Sequence, residues 1–421
     1  MSSTAEGRWD AAALIEGEGW RPLGHVRPLD GIRGVAVLMV MLVHFTRDRY
    51  NLGLLLGLDA FFVMSGFLIT TLLLEEWYRH RRIDLKAFYI RRGFRLLPAL
   101  YVLLALMVVG GAVGLWSFKR ALVESAAAAF YVYPAVLVQG AERALLVPLW
   151  SLSIEEWFYF AMPPVLTLLV LRRSSAPNLR RLLGFFLAAY LGGVVLKVTM
   201  SDPSDAVRAV LQLRPEVLFL GSATAFARVW VLQRGTERLH RVIGWVARLG
   251  VASFVLSALF GTAFPDYRYP GPELELVGRP VSEITDALPA PSWVGHFFGV
   301  MGGPGYLFGI VGVAAFILHT TTSAPDTAIG RVLCIRPLQW AGVYSYAMYL
   351  YHYPLEHQIV PRLIPDRWAF DRLHVVPAHL VLHIVVSTAL TVLAAWLSMR
   401  FVERPAQRLR RRLFPAADAT R

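Results

Sequence analysis

The sequence is short of charge, of cysteine and of any loop built to hold a nucleotide. Charged residues make up 17% of its 421 positions against 56% hydrophobic ones. Mean hydropathy is +0.51. A soluble chain of this length cannot cover its surface with so little charge, so long apolar runs must face lipid. The single cysteine, Cys334, excludes an intrachain disulfide, a cysteine metal cluster and a paired-cysteine redox motif. The opening MSSTAEGRWD has no apolar stretch, so it does not read as a cleaved signal peptide. Residues 1–28 are expected to be a cytosolic lead-in. No internal repeat, low-complexity tract or glycine-rich phosphate loop is present.

What the chain does have is an excess of positive charge: 42 Lys+Arg against 29 Asp+Glu, a formal +13. On one face this would suit nucleic acid; divided among loops it records membrane topology. Crossing the hydrocarbon core takes about 20 apolar residues. Windows of that kind lie near 31–50, 53–77, 96–116, 121–138, 149–171, 182–200, 209–232, 243–264, 298–320, 337–360 and 376–401. Between them, 79–95 carries seven Arg/Lys and 172–181 carries four. Arg234, Arg238, Arg241 and Arg248 follow, and Arg404, Arg408, Arg410, Arg411, Arg412 and Arg421 close the chain. The connection 265–297 is acidic, with Asp266, Glu273, Glu275, Glu283 and Asp286 against Arg268 and Arg279. All basic loops fall on one side only if 121–138 does not cross. The expected fold is therefore all-α: a polytopic membrane protein with about ten transmembrane helices, one re-entrant or interfacial segment, and both termini cytosolic. Residues 29–403 form its membrane domain and 404–421 a basic tail. Arginines divided among at least four loops exclude a nucleic-acid surface.

A charge at mid-membrane costs about 2.5–3.5 kcal/mol on insertion scales, so ionisable residues inside spans are candidates for function. Arg33 and His44 are eleven residues apart, which places them on one helix face about 16 Å apart. A snorkelling Arg33 and a buried neutral His44 are the plain alternatives. Asp59 lies at the outer end of the second span, at a depth from which it can orient His44. The nearby Ser65-Gly66 pair reads as a close-packing site. Arg91, Arg92 and Arg95 crowd one helical end, where they either anchor the helix or clamp phosphate. Glu155 and Glu156 project about 100° apart, so at least one must turn to a polar interior. Arg214 and Glu216 sit just inside another span. The segment VYSYAMYLYHYPLE holds five tyrosines, among them Tyr349, and His352, as an aromatic belt or something more. Glu403 and Arg404 read as an interface pair.

In order along residues 27–405 stand RPLDGIRGVAVLMVMLVHF, DAFFVMSGFLIT, FYIRRGFRLLPALY, LWSLSIEEWFYF, YSYAMYLYHYPL and RFVERP. Together they resemble the acyltransferase 3 family of integral-membrane O-acyltransferases. Arg33 and His44 match its Arg-x10-His pattern, and Arg92 and Arg95 its Arg-x-x-Arg pair. The chain departs from the commoner pattern with a tryptophan after Glu155-Glu156, tyrosines for tryptophans around His352, and Glu216 for an aspartate. Some members carry a fused extracytoplasmic hydrolase-like domain, which is not expected here.

The resemblance implies an O-acyltransferase of the inner (plasma) membrane. It would move an acyl group, in the first instance acetyl, from cytosolic acyl-CoA to a hydroxyl of a carbohydrate, glycolipid or macrolide-type acceptor. No metal is implied. Catalytic roles fall to His44, Arg33, Asp59 and Glu155. Acyl-CoA would be bound by Arg92, Arg95, Arg91 and Arg33, and acceptor by Glu156, Arg214, Tyr349 and His352. The rival is a transporter or flippase for a lipid-linked glycan or small metabolite, since such paths also use intramembrane Arg, Glu and His. No inverted repeat or pair of broken helices supports it.

Overall fold

A computed structural model describes residues 22–46, 56–80, 82–138, 144–171, 179–199, 214–263, 304–323, 327–364 and 376–415. The acidic 265–297 connection, most of the 172–181 loop and most of the N-terminal lead-in lie outside the described residues. Among those described there is no strand. The long helices are α1 (Arg27–Phe45), α2 (Leu56–His80), α3 (Leu85–Ala112), α6 (Leu149–Leu171), α7 (Leu179–Thr199), α8 (Glu216–Arg234), α9 (Glu237–Ala263), α10 (Pro304–Thr322), α12 (Arg336–Pro354) and α13 (Val376–Ser398). These ten helices occupy the ten windows read as crossings. Six of the described helices are long and apolar enough to span a membrane on length and composition alone. The molecule is an all-α polytopic membrane protein.

The eleventh window behaves differently. It breaks into α4 (Phe118–Ala129) and α5 (Tyr133–Val138), of 12 and 6 residues. At 1.5 Å per residue α4 rises only about 18 Å, short of the hydrocarbon core. Tyr131, between the two, adopts a left-handed φ of 57° and ends the helical path. Glu124 ties the pieces down by accepting from the Tyr133 hydroxyl (2.7 Å) and the Leu145 and Leu146 amides (2.8 and 3.0 Å).

Local chemistry sets the helix ends. Asp84 caps α3 by accepting from the Ala87 amide at 2.9 Å. Glu76, at the end of α2, accepts from the Asp84 amide at 2.6 Å and pairs with Arg91 at 3.1 Å, pinning the α2–α3 turn. The short α11 (Ala328–Leu333) leads into α12, where Gln339 donates to the carbonyls of Arg27 (2.8 Å) and Leu333 (2.7 Å). This fixes α1 and α12 side by side and parallel, with Gly342 against the backbone of Asp30. Helices α2 and α8 also run together in close contact: a Cβ on Gly66 would lie 2.1 Å from the Leu218 oxygen, and one on Gly221 2.1 Å from the Val63 oxygen. Ser65-Gly66 is the close-packing site its composition suggested, although Ser65 has a second role described below.

Two π-type turns interrupt the regular winding. Leu355–Ile359 follows Pro354 at the end of α12, and Met399–Glu403 joins α13 to α14 (Arg404–Leu413). The basic tail is thus helical as far as Leu413. It is held to α3 by a hydrogen bond from Gln407 to the Phe94 carbonyl (2.9 Å) and by the ring contact of Phe94 with Phe414. Outward faces stay apolar, as with Leu106, Val109, Leu191, Leu259, Val381 and Leu393, which suits lipid.

Candidate functional site

At the end of the bundle where α1 begins, Arg92 of α3 meets Glu156 of α6. The guanidinium donates to Glu156 from Nη2 (2.7 Å) and Nε (3.1 Å), a forked contact. The same guanidinium lies 3.1 Å over the ring of Tyr159. Arg95, one turn further along α3, stays exposed, although Arg33, Arg92, Tyr159 and Glu403 are its electrostatic neighbours. Arg95 is thus the accessible guanidinium of a group in which Arg33 and Arg92 stand with Glu155, Glu156 and Glu403. Arg33 of α1 is half-buried, with Asp30, Glu155 and Tyr159 as electrostatic neighbours. The three arginines of the two motif patterns, far apart in sequence, therefore meet.

Glu155 faces the same group and accepts from Ser65 Oγ of α2 at 2.7 Å. Both adjacent carboxylates have turned inward, while Trp157 and Phe160, which follow them, face out. One turn back on α6, Ser151 shares a 2.5 Å hydrogen bond with the Tyr349 hydroxyl, which donates to the Pro148 carbonyl at 2.7 Å. The Tyr349 ring is 5.5 Å from that of His352, and His352 is 5.1 Å from His44. Polar side chains thus trace a line through the apolar core, from Arg95 and Arg92 past Glu156, Glu155 and Ser65 to Ser151, Tyr349, His352 and His44.

At the histidine end, His44 is buried at the last turn of α1, with Tyr353 edge-on at 5.1 Å and His357 at 6.5 Å. His352 is fully buried. Its Nδ1 lies 2.7 Å from the Tyr349 carbonyl, and since a carbonyl only accepts, Nδ1 carries the hydrogen. Nε2 then offers a lone pair, and it has no hydrogen-bond partner among the described residues.

Other expected residues fall elsewhere. The Asp59 carboxylate is engaged by Arg214 (2.5 Å) and the Tyr306 hydroxyl, which itself contacts Arg214, instead of being turned to His44. Arg214 is not within a span: it precedes α8 with a left-handed φ of 54°. The following Pro215 disfavours a helical conformation there, and the buried ion pair holds the unusual one. Glu216, the first residue of α8, is buried against Gly193 of α7. Arg91 belongs to the Glu76 turn and not to the arginine group. Glu403 and Arg404 do not form an interface pair: Glu403 is buried and accepts from Ser398 at 3.0 Å, whereas Arg404 is exposed. Among the described residues no group of three or more His, Cys, Asp or Glu side chains is placed to hold a metal ion.

Six participants escaped the sequence reading. Tyr159 follows Glu155 and Glu156 by four and three residues, so helical spacing alone puts it on their face. Ser65 looked like packing only. Tyr306 and the Glu356–His357–His383 group gave no local signal.

The many-helix bundle thus gathers the motif residues into clustered arginines at one end and buried histidines at the other. Residues 27–400 match the family described as "Acyltransferase domain", and the chain belongs to that family. It is 28% identical to the peptidoglycan O-acetyltransferase OatA of Listeria monocytogenes over 399 residues, covering 90% of this chain and 56% of that one. It is 29% identical over 394 residues to the O-acetyltransferase OatA of Staphylococcus aureus, with the same coverage. It is 27% identical over 402 residues to the putative peptidoglycan O-acetyltransferase YrhL of Bacillus subtilis, covering 90% of this chain and 55% of that protein. The chain spans a little over half the length of these curated relatives. No solved structure matches it.

Proposed function

We propose that this chain is a membrane O-acetyltransferase that takes its acetyl group from cytosolic acetyl-CoA and delivers it to a carbohydrate hydroxyl. The observation that carries the reading is the polar line from the arginine group to His44. A thioester on a pantetheine-like arm has to travel about 16 Å from Arg33 to His44, and such an arm has that reach. CoA phosphate meets accessible Arg95 first. Arg33 and Arg92 supply the rest of the charge, with Arg92 aimed by Glu156 and Tyr159. At the far end a neutral imidazole suits general-base catalysis near pH 7, so His44 takes the proton of the hydroxyl as its oxygen attacks the acyl carbon. The thiolate leaves and takes a proton back. Tyr349, His352 and Arg214 are assigned to the acceptor side, with Asp59 fixing Arg214, whereas Glu156, paired with Arg92, belongs to the donor end. The names of the relatives favour a cell-wall glycan as the acceptor. In this reading both termini and the arginine group face the cytosol, and the chain crosses the plasma membrane ten times.

The test incubates membranes containing the protein with acetyl-labelled CoA. Label on a glycan acceptor, lost in His44→Ala while the protein still inserts, is the expected result. Full transfer by His44→Ala sinks the base assignment. Accumulation of an unmodified solute instead would support a transporter.

A further inference from the structure

Beside His44 stands a group of side chains that the reading above does not use. Glu356, in the π-type turn after α12, is 2% exposed. His383 of α13 donates to its Oε1 from Nε2 at 2.9 Å. His357 pairs with its Oε2 through Nδ1. The His357 ring is stacked on Tyr353, with centroids 3.8 Å apart and planes at 21°. Tyr353 is in turn edge-on to His44, and His357 is 6.5 Å from His44.

This arrangement has the features of an activated imidazole. A carboxylate on Nδ1 fixes the tautomer, leaves Nε2 to accept a proton, and stabilises the imidazolium that results. The second histidine holds the carboxylate, and the tyrosine ring holds the plane. Accessibility separates His357 from its neighbours: its side chain is 34% exposed, while those of Glu356 and His383 are each 2% exposed. His44 and His352 are buried. An acceptor arriving from outside the bundle therefore reaches His357 before His44.

We propose that His357 is a second catalytic imidazole that works ahead of His44: the hydroxyl proton reaches His44 by way of His357. This rests on the acyl-transfer reading and divides the work that reading gave to His44 alone. The hydroxyl gives its proton to His357 Nε2 while its oxygen forms the new C–O bond and the C–S bond breaks. A water between the two rings carries the proton from His357 to neutral His44, which gives it to the departed thiolate, so the hydroxyl proton ends on the thiol and no other reactant is needed. Glu356 and His383 are positioning residues. Among the described residues, the charged or titratable side chains that face His357 are His44 from α1, His352, Tyr353 and Glu356 from its own chain segment, and, through Glu356, His383 from α13.

The experiment uses the full chain in liposomes with labelled acetyl-CoA and chitotetraose as the carbohydrate probe. His357→Ala should lower kcat by about 100-fold or more, the usual weight of a general base, with KM for acetyl-CoA unchanged. Added imidazole should restore part of the rate, because the site is accessible; a merely structural histidine would show no such rescue. His357→Phe, which keeps the ring stacked on Tyr353, should be equally slow and should stay folded if the alanine variant does not. Wild-type rates in His357→Phe, or a slow His357→Ala that imidazole leaves unchanged, overturn the proposal and leave the acyl-transfer reading standing. Wild-type protein that transfers no label to the probe overturns both.

Discussion

Arg92 is bound to a carboxylate on one side and an aromatic ring on the other, yet the proposed donor site asks it to hold phosphate as well. Its pairing with buried Glu156 makes two effects of mutation separable. Arg92→Ala leaves Glu156 without its partner, which should cost about 3 kcal/mol of stability, visible as a lower Tm in detergent. Adding Glu156→Gln removes the stranded charge and should recover most of that loss. Acetyl transfer should not recover with it, because the phosphate contact is still missing. A double variant with restored transfer would show that Arg92 serves the fold alone. Arg91 is the control: its partner is Glu76, so Arg91→Ala should weaken the α2–α3 turn without raising KM for acetyl-CoA.

Between helices, the decisive contacts are places where a side chain would not fit. Gly221→Ala puts its Cβ 2.1 Å from the Val63 oxygen, against backbone that cannot turn aside. Parting α2 from α8 should cost on the order of 2 kcal/mol. It should also disturb the Thr70–Ser222 hydrogen bond (2.9 Å) below that contact. Gly192→Ala, where nothing lies within 4 Å, should be neutral or stabilising by about 0.5 kcal/mol through helix propensity. Thermal unfolding of the two purified variants compares them directly. Equal melting points would mean that the α2–α8 contact is looser than described. The π-type turns act at the same scale. One extra residue in a turn rotates all that follows by about 100°, so the segment after Ile359 is turned relative to α12. Glu356 keeps its helical relation to buried His352, four residues earlier, and His357 to Tyr353, but spacing along one chain segment does not give their meeting with His383 of α13.

For the whole molecule, the proposed ten crossings would put residue 175 in the cytosol and the acidic 265–297 connection outside. With Cys334 replaced by serine the chain has no cysteine, so single cysteines at 175 and 275 can be tested with a membrane-impermeant thiol reagent. Labelling of intact cells at 275 but not at 175 is expected. The reverse pattern, or labelling at both, would break the parity argument that kept 121–138 from crossing. The finding that this segment is two short helices clasped by Glu124 agrees with the expected parity.

The sequence by itself determined the class of the molecule and half of its site. Lipid forces apolar runs of a set length, so the ten long helices were legible, and α-helical spacing put Arg33 and His44 on one face. Six ordered motifs named the family. Tertiary structure alone decided which helices lie side by side, because every apolar face is equally at home in lipid and the one-dimensional pattern does not choose among them. That choice gave Asp59 to Arg214 and not to His44, gave Arg91 to Glu76, and turned Ser65 from packing into a partner of Glu155. It also joined the arginines to the histidines. Most partners along that line come from different helices, and only packing sets the distance between them.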